Sequence, residues 1–356
     1  MNKKIILFTA LFLAGCGSNS STNSYTSSSS IDKVNSTSSI ISSNSNVNSS
    51  NITSSSEQPS SSTSSEVIDY GTVTFDDIYI HPDGYDGVKI RPFFSNLEME
   101  GTVDFTYELQ TEDICEIDDE GKVWYINEGS VNVKVTSEIY GETSFYVYCQ
   151  KTMKPEFVYS TAKDMTKSII NYYEDGDSLF VGDSFFQFWR DGTNGIRKFS
   201  KVFEDYKAFN IGISAATTHD LRAMNDCAVS MTNPKNIIVN IGINNVDDDS
   251  ENGVKCFRNI KALVDDYLEM FEETNVYYLS ITRCSGVFAN KWNDHFVSNM
   301  KMKEYCESKD RLHYLDVMEL YGDAYASYQS DGLHPNQDGY DLFEQIIKEN
   351  VEFDMK

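Results

Sequence analysis

Residues 178–184 read Ser178-Leu179-Phe180-Val181-Gly182-Asp183-Ser184, an almost wholly apolar run from Ser178 to Val181 that stops abruptly in Gly-Asp-Ser. A strand with one wet face alternates apolar and polar residues, so a run without alternation predicts a strand covered on both faces. Runs of the same kind recur at Ala208–Ile211, Asn236–Ile241, Val276–Ile281 and His313–Val317. Longer amphipathic stretches predict helices at His219–Ser230, Gly253–Glu272, Lys291–Ser308 and Gln337–Asn350. This alternation predicts an α/β domain over residues 153–356, a parallel sheet with helices on both faces. Ligands of such sheets sit beyond the carboxyl ends of the strands.

Those ends carry residues suited to chemistry: Gly182-Asp183-Ser184 after the first strand, Asn210 to Ser214 after the second and Gly242-Ile243-Asn244-Asn245 after the third. Asp331-Gly332-Leu333-His334-Pro335 stands before the last helix. A serine hydroxyl becomes a useful nucleophile when an imidazole takes its proton, and a carboxylate must orient that imidazole and offset its charge. Ser184 directly follows a strand, which predicts an oxygen exposed at the sheet edge. Asp331 and His334 share one Gly-containing turn, which delivers His334 as general base and Asp331 as its orienter. The oxyanion of a tetrahedral intermediate needs preorganised donors; the backbone amides of Ser184 and Gly212 and the side-chain amide of Asn244 are the candidates.

With these four blocks in this order, the domain resembles the SGNH hydrolase superfamily, the GDSL-like lipases and acylhydrolases. The segments Asn210–Leu221 and Gly242–Val246 are most similar to its platelet-activating-factor acetylhydrolase-like branch. The resemblance implies a flavodoxin-like three-layer α/β/α fold, a serine esterase mechanism, no metal and no cofactor, and bacterial members of that branch often deacetylate carbohydrates. Two positions depart from the pattern: Phe185-Phe186 follows the serine where Leu or Ile is usual, and Asn245 stands where Asp is commoner. Both bear on substrate shape and loop support rather than on proton transfer. Asp183, Trp189 and Asn245 are candidate substrate-pocket residues; Phe185 and Phe188 are further ones, with a core role as the other reading for the aromatics.

Farther out, the chain changes character three times. Lys3 and Lys4 precede an apolar run, Ile5–Ala14, too short to span a bilayer. Its end, Leu13-Ala14-Gly15-Cys16, resembles a bacterial lipoprotein lipobox, so 1–15 reads as a signal peptide. Lipidation of Cys16 would then anchor the protein on the extracytoplasmic face, at the bacterial cell surface. Residues 16–66 are dominated by Ser, with Asn and Thr, and bury too little to fold; they read as a disordered tether with an r.m.s. span on the order of 40 Å.

From 67 to 152 short alternating runs, at Val73–Phe75, Val88–Ile90, Phe105–Leu109, Val131–Val135 and Phe145–Tyr148, predict an antiparallel sandwich. With Tyr107, Cys115, the turn Asp119–Val123 and Glu128-Gly129, this stretch resembles a bacterial Ig-like domain, which implies a spacer or a weak glycan or protein contact. Cys115 and Cys149 form a candidate disulfide in an oxidising compartment. Its charge, 5 basic against 18 acidic or −13, argues against an anionic surface as partner.

The whole chain of 356 residues carries 29 basic and 55 acidic side chains, a net −26, the wrong sign for a nucleic-acid binder. The five histidines include His219 beside Thr217 and Thr218, where capping and substrate contact are both open readings. Asp247–Asp249 lacks calcium-loop spacing and suits a helix start. Cys227, Cys256, Cys284 and Cys306 lack metal-ligand spacing.

The expected activity is hydrolysis of a small acyl ester, an acetyl group on a carbohydrate, through an acyl-Ser184 intermediate, with an acylated glycan or other small ester as partner. A lysophospholipase or thioesterase of the same fold, and a non-catalytic adhesion or glycan-binding lipoprotein, are the alternatives. No apolar insertion for long acyl chains accompanies the four blocks, and an inactive adhesin would be free to lose Ser184, Asp331, His334 and Asn244.

Overall fold

The computed structural model describes residues 69–83, 87–151, 156–246, 252–286, 288–318 and 329–356, the side chains of 156 and 224–227 excepted. The expected signal peptide, Cys16 and the whole tether lie outside these residues, as does Asp247–Asp249. Residues 66–356 form one compact unit.

Nine strands come first: β1 (Val73–Thr74), β2 (Ile78–Ile80), β3 (Val88–Lys89), β4 (Phe93–Phe94), β5 (Thr106–Leu109), β6 (Cys115–Ile117), β7 (Lys122–Tyr125), β8 (Gly129–Ser137) and β9 (Gly141–Cys149). They form a four-stranded sheet ordered β2-β9-β8-β5, a three-stranded sheet ordered β3-β7-β6 and the small pair β1-β4. The alternation of β8 and β9 sends Val131, Val133, Val135, Phe145, Val147 and Cys149 inward, where they share one core with Val88, Cys115 and Val123 of the second sheet. The expectation of a wholly antiparallel arrangement fails at one place: β2 pairs with β9 in parallel. Parallel neighbours need a long crossover, and here the rest of the β-region supplies it. Cys115 and Cys149 are both buried free thiols, so the candidate disulfide is not formed.

The α/β part comprises α1 (Glu156–Tyr172), β10 (Ser178–Gly182), α2 (Ser184–Asp191), α3 (Phe199–Val202), β11 (Ala208–Asn210), α4 (Thr218–Ala228), β12 (Asn236–Asn240), α5 (Gly253–Met270), β13 (Asn275–Leu279), α6 (Trp292–Glu307), β14 (Leu312–Leu315) and α7 (Gln337–Asn350). The strands lie β11-β10-β12-β13-β14, every pair parallel. The chain steps to one side of β10 and then returns across it, so the order reverses there, and the crevice at such a reversal is where ligands bind. Three helices escape the sequence pattern, the four-residue α3 among them. In α1 the inward residues Val158, Ala162 and Ile169 are matched by exposed Phe157, Ile170 and Tyr172, which blurs the apolar stripe. The short α2 is set by its ends: Asp183 Oδ1 accepts from the Phe185 amide at 3.0 Å, and Gly192, at φ 68°, closes the last turn onto the Phe188 carbonyl.

The β-region is not a detached spacer; it is stitched to α4 and α5. Arg258 forks onto Asp76, with Nε–Oδ2 at 2.6 Å. Arg91 and Arg222 share Asp266 at 2.9 and 2.7 Å, and Lys261 reaches Glu100 at 2.9 Å. Phe93 meets Phe257 edge-on, with centroids 5.7 Å apart.

Candidate active site

At the carboxyl end of β10, Gly182 has no room for a side chain, since a Cβ there would lie 2.2 Å from the Asn240 carbonyl oxygen of β12. Asp183 follows as the cap of α2, and Ser184 is the first helical residue. The serine is largely buried rather than exposed at the sheet edge. Its Oγ lies 2.9 Å from His334 Nε2, and His334 Nδ1 lies 2.7 Å from Asp331 Oδ2. The three side chains, separated by 150 positions in sequence, thus form one continuous hydrogen-bonded relay.

The turn carrying two of its members is held from several directions. Asp331 Oδ1 accepts the Leu333 and His334 amides at 2.9 and 3.0 Å. Burial raises the Asp331 carboxyl, but the His334 and backbone hydrogen bonds outweigh it and leave the group below its ordinary value. Gly332 adopts φ +66°, the left-handed region that favours glycine, and its carbonyl accepts the Ser285 and Gly286 amides at 2.8 and 3.0 Å. Gln329 donates its amide to the His334 carbonyl at 2.8 Å and its Nε2 to the Pro335 carbonyl at 2.9 Å. Phe188 stacks on the imidazole, with centroids 4.3 Å apart.

The candidate oxyanion donors are arranged unequally. Asn244 Nδ2 donates one hydrogen to the Ala216 carbonyl at 3.0 Å, which fixes the amide and leaves its second hydrogen for a ligand. The Ser184 amide sits in the first turn of α2, where backbone N–H groups have no partner within the helix. The Gly212 amide, by contrast, is engaged with Asn210 Oδ1 at 2.9 Å, so the expectation of a free donor there is corrected. Its loop is pressed against α2: a Cβ on Gly212 would lie 2.5 Å from the Gln187 nitrogen and 2.6 Å from Phe186 Cβ.

The expected pocket residues are placed differently. Trp189 is fully buried among Phe180, Phe199, Phe203 and Tyr340, because the inward face of α2 points into the core; it lines no substrate pocket. Asn245 is spent on loop support, accepting the Thr218 amide at 3.2 Å and donating to Thr218 Oγ1 at 2.7 Å. Asp183 lies buried beneath the serine as a helix cap. Burial pushes its carboxyl up to about 7, against the pull of the Phe185 amide. His219 rests on Tyr79 of β2, with centroids 4.7 Å apart.

Two supports were not read from sequence. Gln187 Oε1 accepts the Ser214 amide at 2.7 Å, and Arg190 Nη1 donates to the Gly212 carbonyl at 2.7 Å. They stand three and six residues after Ser184, a spacing that places neighbours on one helical face and was available as a signal.

The relay lets a proton leave Oγ for Nε2 as Oγ attacks a carbonyl, while Asp331 holds the tautomer that makes Nε2 the acceptor. Among solved structures the chain is similar to a GDSL-like lipase from Bacteroides thetaiotaomicron, at 18% identity and a TM-score of 0.45, covering 54% of this chain and 97% of that one. It is also similar to a catalytic mutant of an acetylxylan esterase from Geobacillus stearothermophilus (17%, TM-score 0.41, 51% and 96%). A third is a carbohydrate esterase family 3 protein from Talaromyces cellulolyticus (14%, TM-score 0.38, 48% and 94%). No curated protein matches. Residues 180–342 match the GDSL-like lipase/acylhydrolase family, a span that opens in the strand before Ser184 and closes in the helix after His334, and the α/β part of the chain carries the relay of a serine ester hydrolase.

Proposed function

We propose that the protein is a cell-surface esterase that removes small acyl groups, acetyl foremost, from carbohydrates through an acyl-Ser184 intermediate, and that it is held at the membrane by lipidated Cys16. The observation that carries this reading is the unbroken chain Ser184–His334–Asp331. Ser184 Oγ attacks the ester carbonyl and its proton passes to His334 Nε2. The Ser184 amide and Asn244 Nδ2 receive the oxyanion, each such donor contributing about 3 to 4 kcal/mol where measured. His334 then protonates the departing sugar hydroxyl, and a water deprotonated by the same imidazole releases the acid from Ser184. The secretion signal, the tether and the absence of an apolar insertion in the sequence support a short acyl group on a substrate outside the cell. The β-region is an Ig-like module in this reading.

The test compares p-nitrophenyl acetate with p-nitrophenyl decanoate, wild type beside Ser184→Ala, and measures acetate released from acetylated xylan. The acetate ester should be the faster substrate, with kcat lowered by about 10⁴-fold or more in Ser184→Ala. Turnover of phospholipids or acyl thioesters alone would overturn the carbohydrate assignment, and equal rates in wild type and mutant would overturn the nucleophile.

A further inference from the structure

A cavity of about 210 Å³ opens where the β-region meets the start of α4, lined among others by Tyr79, His81, Gln150, Thr217, His219 and Asp220. It adjoins the catalytic loops: Thr217 follows Ala216, whose carbonyl holds Asn244 Nδ2. From this cavity a row of side chains runs along the outer face of the four-stranded sheet. On β9 the inward residues are Phe145, Val147 and Cys149, so Tyr146 and Tyr148 face outward, with Gln150 just past the strand end in the same alternation. Tyr148 lies opposite Tyr79 of β2, the rings stacked at 5.0 Å and 16°, and Tyr146 stands 6.1 Å from Tyr148. Ser130 and Asn132 of β8 lie opposite Tyr148 and Tyr146 in register. Tyr146 is 47% exposed, on a face that buries no core. From Tyr146 to Gln150 the row is about 14 Å long at 3.4 Å per residue.

We propose that this row and the cavity form a subsite for a neutral polysaccharide, which feeds its decorated sugar to Ser184. The inference rests on the carbohydrate reading of the active site. A pyranose ring presents a face of C–H groups whose partial positive charge suits the negative face of an aromatic ring, and tyrosine adds a hydroxyl at the rim. The amide of Gln150 and the imidazole of His219 offer the mixed donors and acceptors that sugar hydroxyls need, beside Asp220, whose Oδ2 accepts the Thr217 amide and hydroxyl at 2.8 and 2.7 Å. Charge selects the class: the β-region carries 5 basic and 18 acidic residues, or −13, so a polyanionic glycan is repelled and a neutral one is not. The β-region thereby changes from a spacer into part of the substrate site.

The experiment is affinity electrophoresis of the full-length Ser184→Ala protein through gels containing unsubstituted xylan, galactomannan or mixed-linkage β-glucan, with polygalacturonate as the anionic control. Retardation by at least one neutral glycan is expected. Tyr146→Ala in the same background should weaken it by roughly three- to tenfold, the range for loss of one aromatic contact, with melting temperature as the check on folding. Retardation by none of the neutral glycans, or retardation unchanged in Tyr146→Ala, overturns the subsite; so does retardation by polygalacturonate alone. Glycan retention without acetate release by the wild type would leave the subsite standing and sink the esterase assignment. Acetate release without retention would do the reverse.

Discussion

Asp183 holds a buried carboxyl directly before the nucleophile. Its folded value, about 7, lies above the ordinary carboxylate value of about 3.9 that the unfolded chain would show. Between those values the folded state binds more protons than the unfolded one, so this residue makes stability fall as pH rises from about 4 to about 7. Asn caps helices as well as Asp does and carries no charge. Asp183→Asn should therefore melt higher than wild type at pH 8, with a margin that shrinks toward pH 4.5; calorimetry showing the same margin at both would refute this. Ser184, His334 and Asp331 were legible at this scale because chemistry restricts the residue types and the blocks come in fixed order. Trp189 stayed open between pocket and core because a residue name does not tell which side of a helix faces the sheet. Its neighbours decide that, and here they are Phe199, Phe203 and Tyr340.

At the scale of elements, the five strands of the parallel sheet were legible to within a residue or two, since strands covered on both faces must be apolar throughout. The capped, eight-residue α2 was not, because its stability comes from Asp183 and Gly192 at its ends and from core packing. Nor was the parallel pair β2–β9, which depends on a partner some seventy residues away. The contact between α2 and the Gly212 loop has a measurable consequence. In Gly212→Ala the new methyl meets backbone atoms of α2 that cannot swing aside, so overpacking should cost about 1 to 3 kcal/mol. Displacement of the loop should also lower kcat for p-nitrophenyl acetate by about 10²-fold. A variant with wild-type kcat and melting temperature would show that the loop and helix are not held in this register.

For the molecule as a whole, the ion pairs between the β-region and α4–α5 predict cooperative unfolding. Arg258 and Asp76 are 16% and 19% exposed, and Lys261, which reaches Glu100, is 7% exposed. Removing one partner of such a pair leaves its mate poorly solvated and unpaired. Wild type should show a single calorimetric transition, and the double variant Arg258→Ala/Lys261→Ala two; two transitions already present in wild type would mean that the parts unfold independently. The sequence betrayed none of this, because a cation that bridges two domains has the same composition as one in solvent. The stitching also runs in both directions: Asp76 and Glu100 of the β-region receive cations from α5, while Arg91 gives its charge to Asp266. That crossed pattern limits recombination, since a foreign module grafted onto either part would have to bring a matching cation and a matching carboxylate at each seam, so the two parts are expected to be inherited and exchanged together.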